Sequence, residues 1–151
     1  MNEGKIERGR RLEDNSYLSE IDRQTLSEDI SYRAEILERH PTVFLRPDDR
    51  TSAKRALYIH ADEQGVSYLG LITKYGNHET RTPPEHEEPR IEMRIKSREA
   101  KPIGEISPEE FEHMYHEIHD AQSAIAWLKR KYPKRRFSEN SKVTVYRIEY
   151  V

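Results

Sequence analysis

A periodic stretch from Ser107 to Tyr132 most constrains the fold of this 151-residue chain. Ser107 opens a capping-box pattern, Pro108 suits the first helical turn, and Pro133 excludes helical geometry just before it. Acidic residues crowd the first turn and basic residues the last, which complements the helix dipole. The pattern therefore predicts one long helix over about 108–132.

The predicted helix has two different faces. Apolar residues at spacings of three and four form a stripe that we expect to pack on a sheet. The members of this stripe are Phe111, Met114, Tyr115, Ile118, Ala121, Ile125 and Leu128. The opposite face, here called the His/Trp face, carries Glu109, His113, His116, Asp120, Ser123 and Trp127. Trp127 is therefore expected to point away from the stripe.

Three interpretations of the His/Trp face remain open. The first is a solvated surface on which another part of the chain covers Trp127. The second is a protein–protein interface formed by Trp127, His116, Asp120 and Ser123, used by a regulator or inhibitor or by a homo-oligomer assembled through the long helix. The third is the metal site of a hydrolase or nuclease, with His113, His116 and Asp120 as ligands, since imidazole and carboxylate groups suit zinc or iron.

The rest of the chain predicts an α+β fold. A capping-box pattern at Thr25 and apolar residues ending before Pro41 predict an N-terminal helix over about 26–40. Because runs of strands precede the long helix without βαβ alternation, we expect an antiparallel or mixed four- to five-stranded sheet with both helices packed on it. Alternating or apolar runs predict its strands at 42–45, 55–61, 66–75, 91–97 and 143–151.

Composition predicts a single domain preceded by an arm. Residues 1–16 are charged and nearly free of apolar side chains, so we expect a flexible arm before one domain at 17–151. The chain has no cysteine, which excludes disulfides, thiolate metal sites and cysteine nucleophiles. No apolar run approaches the roughly 20 residues that span a bilayer, and the N-terminus lacks a signal-peptide core. We therefore expect a cytoplasmic protein.

The most specific functional signal is a basic segment, residues 129–136, in which six of eight residues are lysine or arginine. Lysine and arginine neutralise phosphates, and interleaved aromatic rings offer stacking surface to unpaired bases. Basic residues of the predicted strand 91–97 would widen this surface if the strand lies nearby. The predicted binding residues are Lys129, Arg130, Lys131, Tyr132, Lys134, Arg135, Arg136, Phe137, Arg94 and Lys96.

The net charge of −2 means that binding to a polyanion has to come from a local patch. The sequence holds no glycine-rich phosphate loop, nucleophile elbow or readable Ser/His/Asp pattern, so no organic cofactor and no defined reaction are expected. We therefore predict a small cytoplasmic binding module whose partner is nucleic acid or an acidic protein. A protein–protein module and a metal-dependent hydrolase are the alternatives.

Overall fold

The computed structural model describes residues 17–51 and 65–151, which form an α+β fold as predicted. The predicted arm at 1–16 and the predicted strand at 55–61 lie outside the described residues. The strands are β1 (Thr25–Asp29), β2 (Val43–Pro47), β3 (Ser67–Lys74), β4 (Glu85–His86), β5 (Ile91–Pro102) and β6 (Lys142–Tyr150). The α-helices are α1 (Glu20–Arg23), α2 (Arg33–Leu37), α3 (Pro108–Glu112) and α4 (Ala121–Lys131), with 3₁₀ turns at Ile30–Tyr32 and Ile103–Glu105.

The described strands form one mixed sheet in the order β1-β3-β5-β6-β2, with the short β4 pairing with β3. β1 runs parallel to β3, and every other pair is antiparallel. The mixed sheet is thus confirmed, but it has six described strands rather than four or five. The strands predicted from alternation near 42–45, 66–75, 91–97 and 143–151 correspond to β2, β3, β5 and β6.

The predicted long helix is wrong, because the chain leaves helical geometry between α3 and α4. The Ser107 capping box at the start of α3 forms as expected. The carbonyl of His113, however, accepts hydrogen bonds from the backbone N–H groups of Thr42 and Val43 at 2.8 and 3.0 Å. A continuous helix needs that carbonyl for a bond within the helix. Asp120 then caps a new helix, since its side chain accepts from the Ser123 N–H while Ser123 Oγ accepts in return.

This break overturns the predicted His/Trp face as well. Trp127 is only 4% exposed and lies in the same hydrophobic core as Phe111 and Ile118. The two helices no longer share one helical phase, so positions that a single rod would place on opposite sides both reach the core. The buried residues of α4 are Ala124, Ile125, Trp127 and Leu128, and Ala124, Trp127 and Leu128 have the spacing of three and four that one helix face requires.

The predicted N-terminal helix over about 26–40 is also wrong. Its first residues form β1, which pairs in parallel register with β3 from Thr25 opposite Tyr68 to Asp29 opposite Ile72. The region that follows holds a 3₁₀ turn at Ile30–Tyr32 and then α2, which is five residues long. The local Thr/Glu pattern suits a helix start, but the backbone groups of these five residues pair with β3 instead. None of the described helices is both long and apolar enough to cross a membrane.

Candidate functional site

A pocket of about 430 Å³ opens where the two outer strands of the sheet approach each other. β1 and β2 stand at opposite ends of the strand order, and the sheet curls until their side chains meet. The end of β3 and the last turn of α4 complete the enclosure. The lining residues are Ser27, Glu28, Asp29, Arg46, Ile72, Tyr75, Trp127, Arg130, Lys131 and Tyr132.

A buried ion pair joins the two outer strands beside the pocket. The Nη2 atom of Arg46 lies 2.7 Å from Glu28 Oε2, and the two side chains are 14% and 2% exposed. Nη2 donates its hydrogen bond to the Ser27 carbonyl, so its approach to Glu28 is mainly a contact of opposite charges. Burial opposes the charge on Arg46, but Glu28 together with Tyr132 and Tyr146 outweighs it, so the pKa of Arg46 rises above its usual value.

The second oxygen of Glu28 accepts a hydrogen bond from the Tyr115 hydroxyl. Burial, reinforced by Glu28, raises the pKa of Tyr115 well above the ordinary tyrosine value. The Tyr115 ring stacks on Tyr32 with ring centres 3.9 Å apart and meets the edge of Phe44. The bond therefore ties β1 to the segment between α3 and α4, which holds that wall of the pocket in place.

Asp29 and Tyr75 form the wall of the pocket that is exposed to solvent. The Tyr75 hydroxyl donates a hydrogen bond to Asp29 Oδ2, and the backbone N–H of Ser31 donates to Oδ1. The Tyr75 bond and then the Ser31 bond lower the pKa of Asp29 to about 2, so this carboxylate is charged at neutral pH. Burial and the bond to Asp29 raise the pKa of Tyr75. Tyr75 is nevertheless 59% exposed, which leaves much of its ring open to a ligand.

Trp127 anchors the helical wall of the pocket through Tyr32. The indole Nε1–H donates to the Tyr32 hydroxyl at 2.8 Å, and that hydroxyl donates in turn to Glu117. Burial and Glu117 together raise the pKa of Tyr32 to about 12. Arg130 also pairs with Glu117. Lys131 Nζ lies 5.4 and 5.5 Å from the ring centres of Tyr32 and Trp127, a distance at which a cation is attracted to an aromatic face.

The basic segment contributes three of the pocket residues, Arg130, Lys131 and Tyr132. Its remaining cations differ in their surroundings. Arg135 forms a two-pronged ion pair with Asp48 at 2.8 and 3.1 Å. The other three are exposed and form no ion pair within residues 17–51 and 65–151: Lys129, Lys134 and Arg136.

The other predicted binding residues are not brought into the pocket. Phe137 is buried in the core at 7% exposure, where a ligand cannot reach it. Arg94 and Lys96 are exposed on β5, and Lys96 Nζ lies 3.4 Å from a Glu149 oxygen on the neighbouring strand. Neither Arg94 nor Lys96 belongs to the pocket lining.

The metal site predicted at His113, His116 and Asp120 is not assembled. Asp120 is the cap of α4, and the imidazole of His113 lies 3.4 Å from Glu109. His116 meets Glu35 and His40 instead, with ligand atoms of the three side chains within 4.8 Å of one another.

The imidazole rings in this new group are not oriented to share one metal ion. The rings of His40 and His116 stack with centres 3.9 Å apart and planes 12° apart. The lone pair of an imidazole nitrogen lies in the ring plane, so two stacked parallel rings cannot both aim at one ion. His40 Nε2 also donates to the Met114 carbonyl at 2.8 Å, which occupies the nitrogen that faces Glu35.

The predicted partner interface fails for a related reason. Trp127 is buried, and the Ser123 hydroxyl is engaged with Asp120 in the capping box of α4. Since α3 and α4 are separate, these residues and His116 do not form one helix face. The predicted homo-oligomer through a long helix loses its structural basis with the same break.

Sequence reasoning missed the residues that close the pocket. The predicted helix over about 26–40 includes Ser27, Glu28 and Asp29. A helical pattern there does not indicate that the Glu28 carboxylate is buried. Had the segment been read as a strand, Leu26 and Glu28 would share one face, and a carboxylate on an apolar face demands a cationic partner. Nothing local identifies Arg46 as that partner.

Comparison with known proteins finds few relatives. No family model matches the chain, and no curated protein matches it. Among solved structures, the chain is similar to one described as the crystal structure of protein EF3133 from Enterococcus faecalis V583, family-model DUF984. The two are 11% identical with a TM-score of 0.44, and the alignment covers 76% of this chain and 63% of that one. The chain thus spans less than two thirds of the length of that protein, whose description names no activity or ligand.

Proposed function

We propose that this chain is a small cytoplasmic binding module that contacts the phosphates of nucleic acid through the basic segment 129–136. The observation that carries the proposal is the placement of Arg130, Lys131 and Tyr132 in the lining of the pocket. The basic segment therefore contributes both a charged surface and one wall of a concave, partly aromatic site. That combination suits a ligand that carries both negative charge and flat rings.

The exposed cations support the same proposal. Within the described residues, Lys129, Lys134 and Arg136 have no carboxylate partner to neutralise them, so their charge is available to a ligand. Phosphate groups neutralised by such side chains release bound counterions, which makes affinity fall as salt rises. Arg135 contributes less, because its charge is already engaged by Asp48.

The test is fluorescence anisotropy of a labelled single-stranded oligonucleotide at several salt concentrations. Replacing Lys129, Lys134 and Arg136 by alanine should weaken binding and flatten the dependence of log affinity on log salt by about one per lost phosphate contact. The matched control replaces Arg94 and Lys96, which are exposed cations outside the pocket lining. We expect that control to change affinity much less.

Two outcomes contradict the proposal. One is the absence of binding at low salt, and the other is an equal loss in the basic-segment variant and in the Arg94/Lys96 control. An acidic protein would present carboxylates to the same cations. Competition of polyglutamate against the oligonucleotide, at matched charge, distinguishes that partner from nucleic acid.

A further inference from the structure

We infer that the pocket between β1 and β2 receives one unpaired base, so that the ligand of this module is single-stranded nucleic acid. This inference rests on the proposed function and narrows it to one class of nucleic acid. It assigns the phosphates to the mouth of the pocket and the base to its interior. The size of the pocket, the chemistry of its walls and its charge each support this inference.

The first argument concerns size and shape. A volume of about 430 Å³ falls within the roughly 300–1,000 Å³ typical of small-ligand pockets, which suits a single base with part of its sugar. The Glu28–Arg46 pair links the two strands, so the pocket is concave rather than a flat surface. A base inside a duplex must be unpaired and unstacked to enter such a pocket, whereas a base in a single strand is already free to do so.

The second argument concerns the walls. Tyr75 is exposed, and its hydroxyl is held by Asp29, so its ring is fixed in orientation while one side stays open. Tyr132 is half-buried at the end of the basic segment and also lines the pocket. Ile72 adds an apolar surface. Rings of this kind stack on any base, because every base has a flat π face.

The third argument concerns charge within the pocket. Asp29, with a pKa of about 2, is ionised at neutral pH, and the buried Glu28 carboxylate faces Arg46. Arg46 balances the charge of Glu28, so Asp29 is the carboxylate of the lining that forms no ion pair within the described residues. It disfavours a phosphate beside it, while an uncharged base meets no such repulsion. Lys131 lies over the rings of Tyr32 and Trp127, whereas Arg130 is 60% exposed but pairs with Glu117, so Lys131 is the lining cation available to the flanking phosphates.

The experiment compares three ligands of equal length on the intact protein by fluorescence anisotropy. They are a single-stranded oligonucleotide, its duplex, and an abasic strand that keeps the phosphates but lacks the bases. Stacking of one base on an aromatic side chain contributes about 1–3 kcal/mol, and 1.4 kcal/mol corresponds to a factor of ten. We therefore expect the single strand to bind about tenfold more tightly than the abasic strand, and more tightly than the duplex.

Tyrosine variants test whether the pocket causes the preference for the single strand over the abasic strand. Tyr75→Leu and Tyr132→Leu should bring the single strand down to the affinity of the abasic strand and leave abasic binding unchanged. Tyr75→Phe keeps the ring and should retain the preference. Tyr68→Leu, on β3 but outside the pocket lining, is the matched control and should leave the preference intact. Circular dichroism establishes that each variant is folded.

The outcomes separate the two proposals. Equal affinity for single, duplex and abasic strands, combined with loss of binding in the basic-segment variant, overturns the base pocket and leaves phosphate binding in place. A single-strand preference that survives both tyrosine-to-leucine variants also overturns it. Absence of binding to any of the three ligands overturns the proposed function and this inference with it.

Discussion

Arg46 on β2 and Glu28 on β1 join the two outer strands of the sheet across the pocket. These strands have no backbone ladder between them in the described strand order. Their contact is made by side chains, together with the bond from Arg46 to the Ser27 carbonyl. The closed side of the pocket consequently depends on one ion pair and its neighbours.

We expect Glu28→Gln to lower the free energy of unfolding by about 3–5 kcal/mol, because it leaves the Arg46 guanidinium charged without a buried partner. Glu28→Leu combined with Arg46→Met should recover most of that loss, since neither charge remains. Urea unfolding followed by Trp127 fluorescence measures both. Glu149→Gln, which removes an exposed pair with Lys96, is the control and should cost about 0–1 kcal/mol. A Glu28→Gln variant as stable as this control would argue against the buried pair.

Gly70 on β3 leaves room for the ring of His86. A Cβ at Gly70 would lie 2.5 Å from His86 Cδ2 and 2.6 Å from Thr25 Cγ2. We expect Gly70→Ala to destabilise the protein by about 1–3 kcal/mol through overpacking. Gly65→Ala is the control, because nothing lies within 4 Å of its added carbon. Thermal unfolding of both variants checks the prediction, and equal melting temperatures would contradict it.

The bond from Tyr75 to Asp29 should be visible in titration. It is the largest cause of the low pKa of Asp29, about 2 against an ordinary 3.8, so Tyr75→Phe should raise that pKa toward the ordinary value. Because the folded pKa is the lower one, Asp29 stabilises the fold above about pH 4, and this contribution is lost as pH falls toward 2. NMR titration of the Asp29 carboxyl carbon measures the change. Tyr68→Phe serves as control, and an unchanged Asp29 pKa in Tyr75→Phe would exclude the bond.

Asp120 should behave as a helix cap. Asp120→Ala removes the acceptor for the Ser123 N–H and should cost about 0.5–2 kcal/mol, whereas Asp120→Asn keeps an acceptor and should cost less. Chemical denaturation of both variants gives the comparison. Equal losses in the alanine and asparagine variants would mean that the side chain acts through its charge rather than through the cap.

Local sequence patterns predicted some elements well and others badly, and the difference has a physical cause. The Ser107 capping box is satisfied by Glu110 three residues away, and the alternation of β5 follows from the two-residue period of any strand with one buried face, so both were predictable. The end of α3 was not, because the His113 carbonyl is taken by Thr42 and Val43 from a distant strand. The apolar stripe was still informative, since all its residues except the partly buried Ala121 are buried on both sides of the break.

The start of the chain shows the same limit. The pattern around Thr25 suits either a helix start or a strand, and pairing with β3 decides between them. A helix and a strand place different side chains on one face, so the predicted helix gave no reason to expect Glu28 in a functional site. The basic segment needed no such decision, and three of its residues do line the pocket.

The sequence by itself determined the α+β composition, most strands of the sheet and the cluster of cations at the end of α4. These follow from side-chain period, turn residues and charge, which act over a few residues. Only the tertiary structure decided where the long helical pattern breaks, that Trp127 is buried, and that Arg46 meets Glu28. Each of these depends on a backbone or side-chain partner from another element, and the local sequence does not specify which residue that partner is.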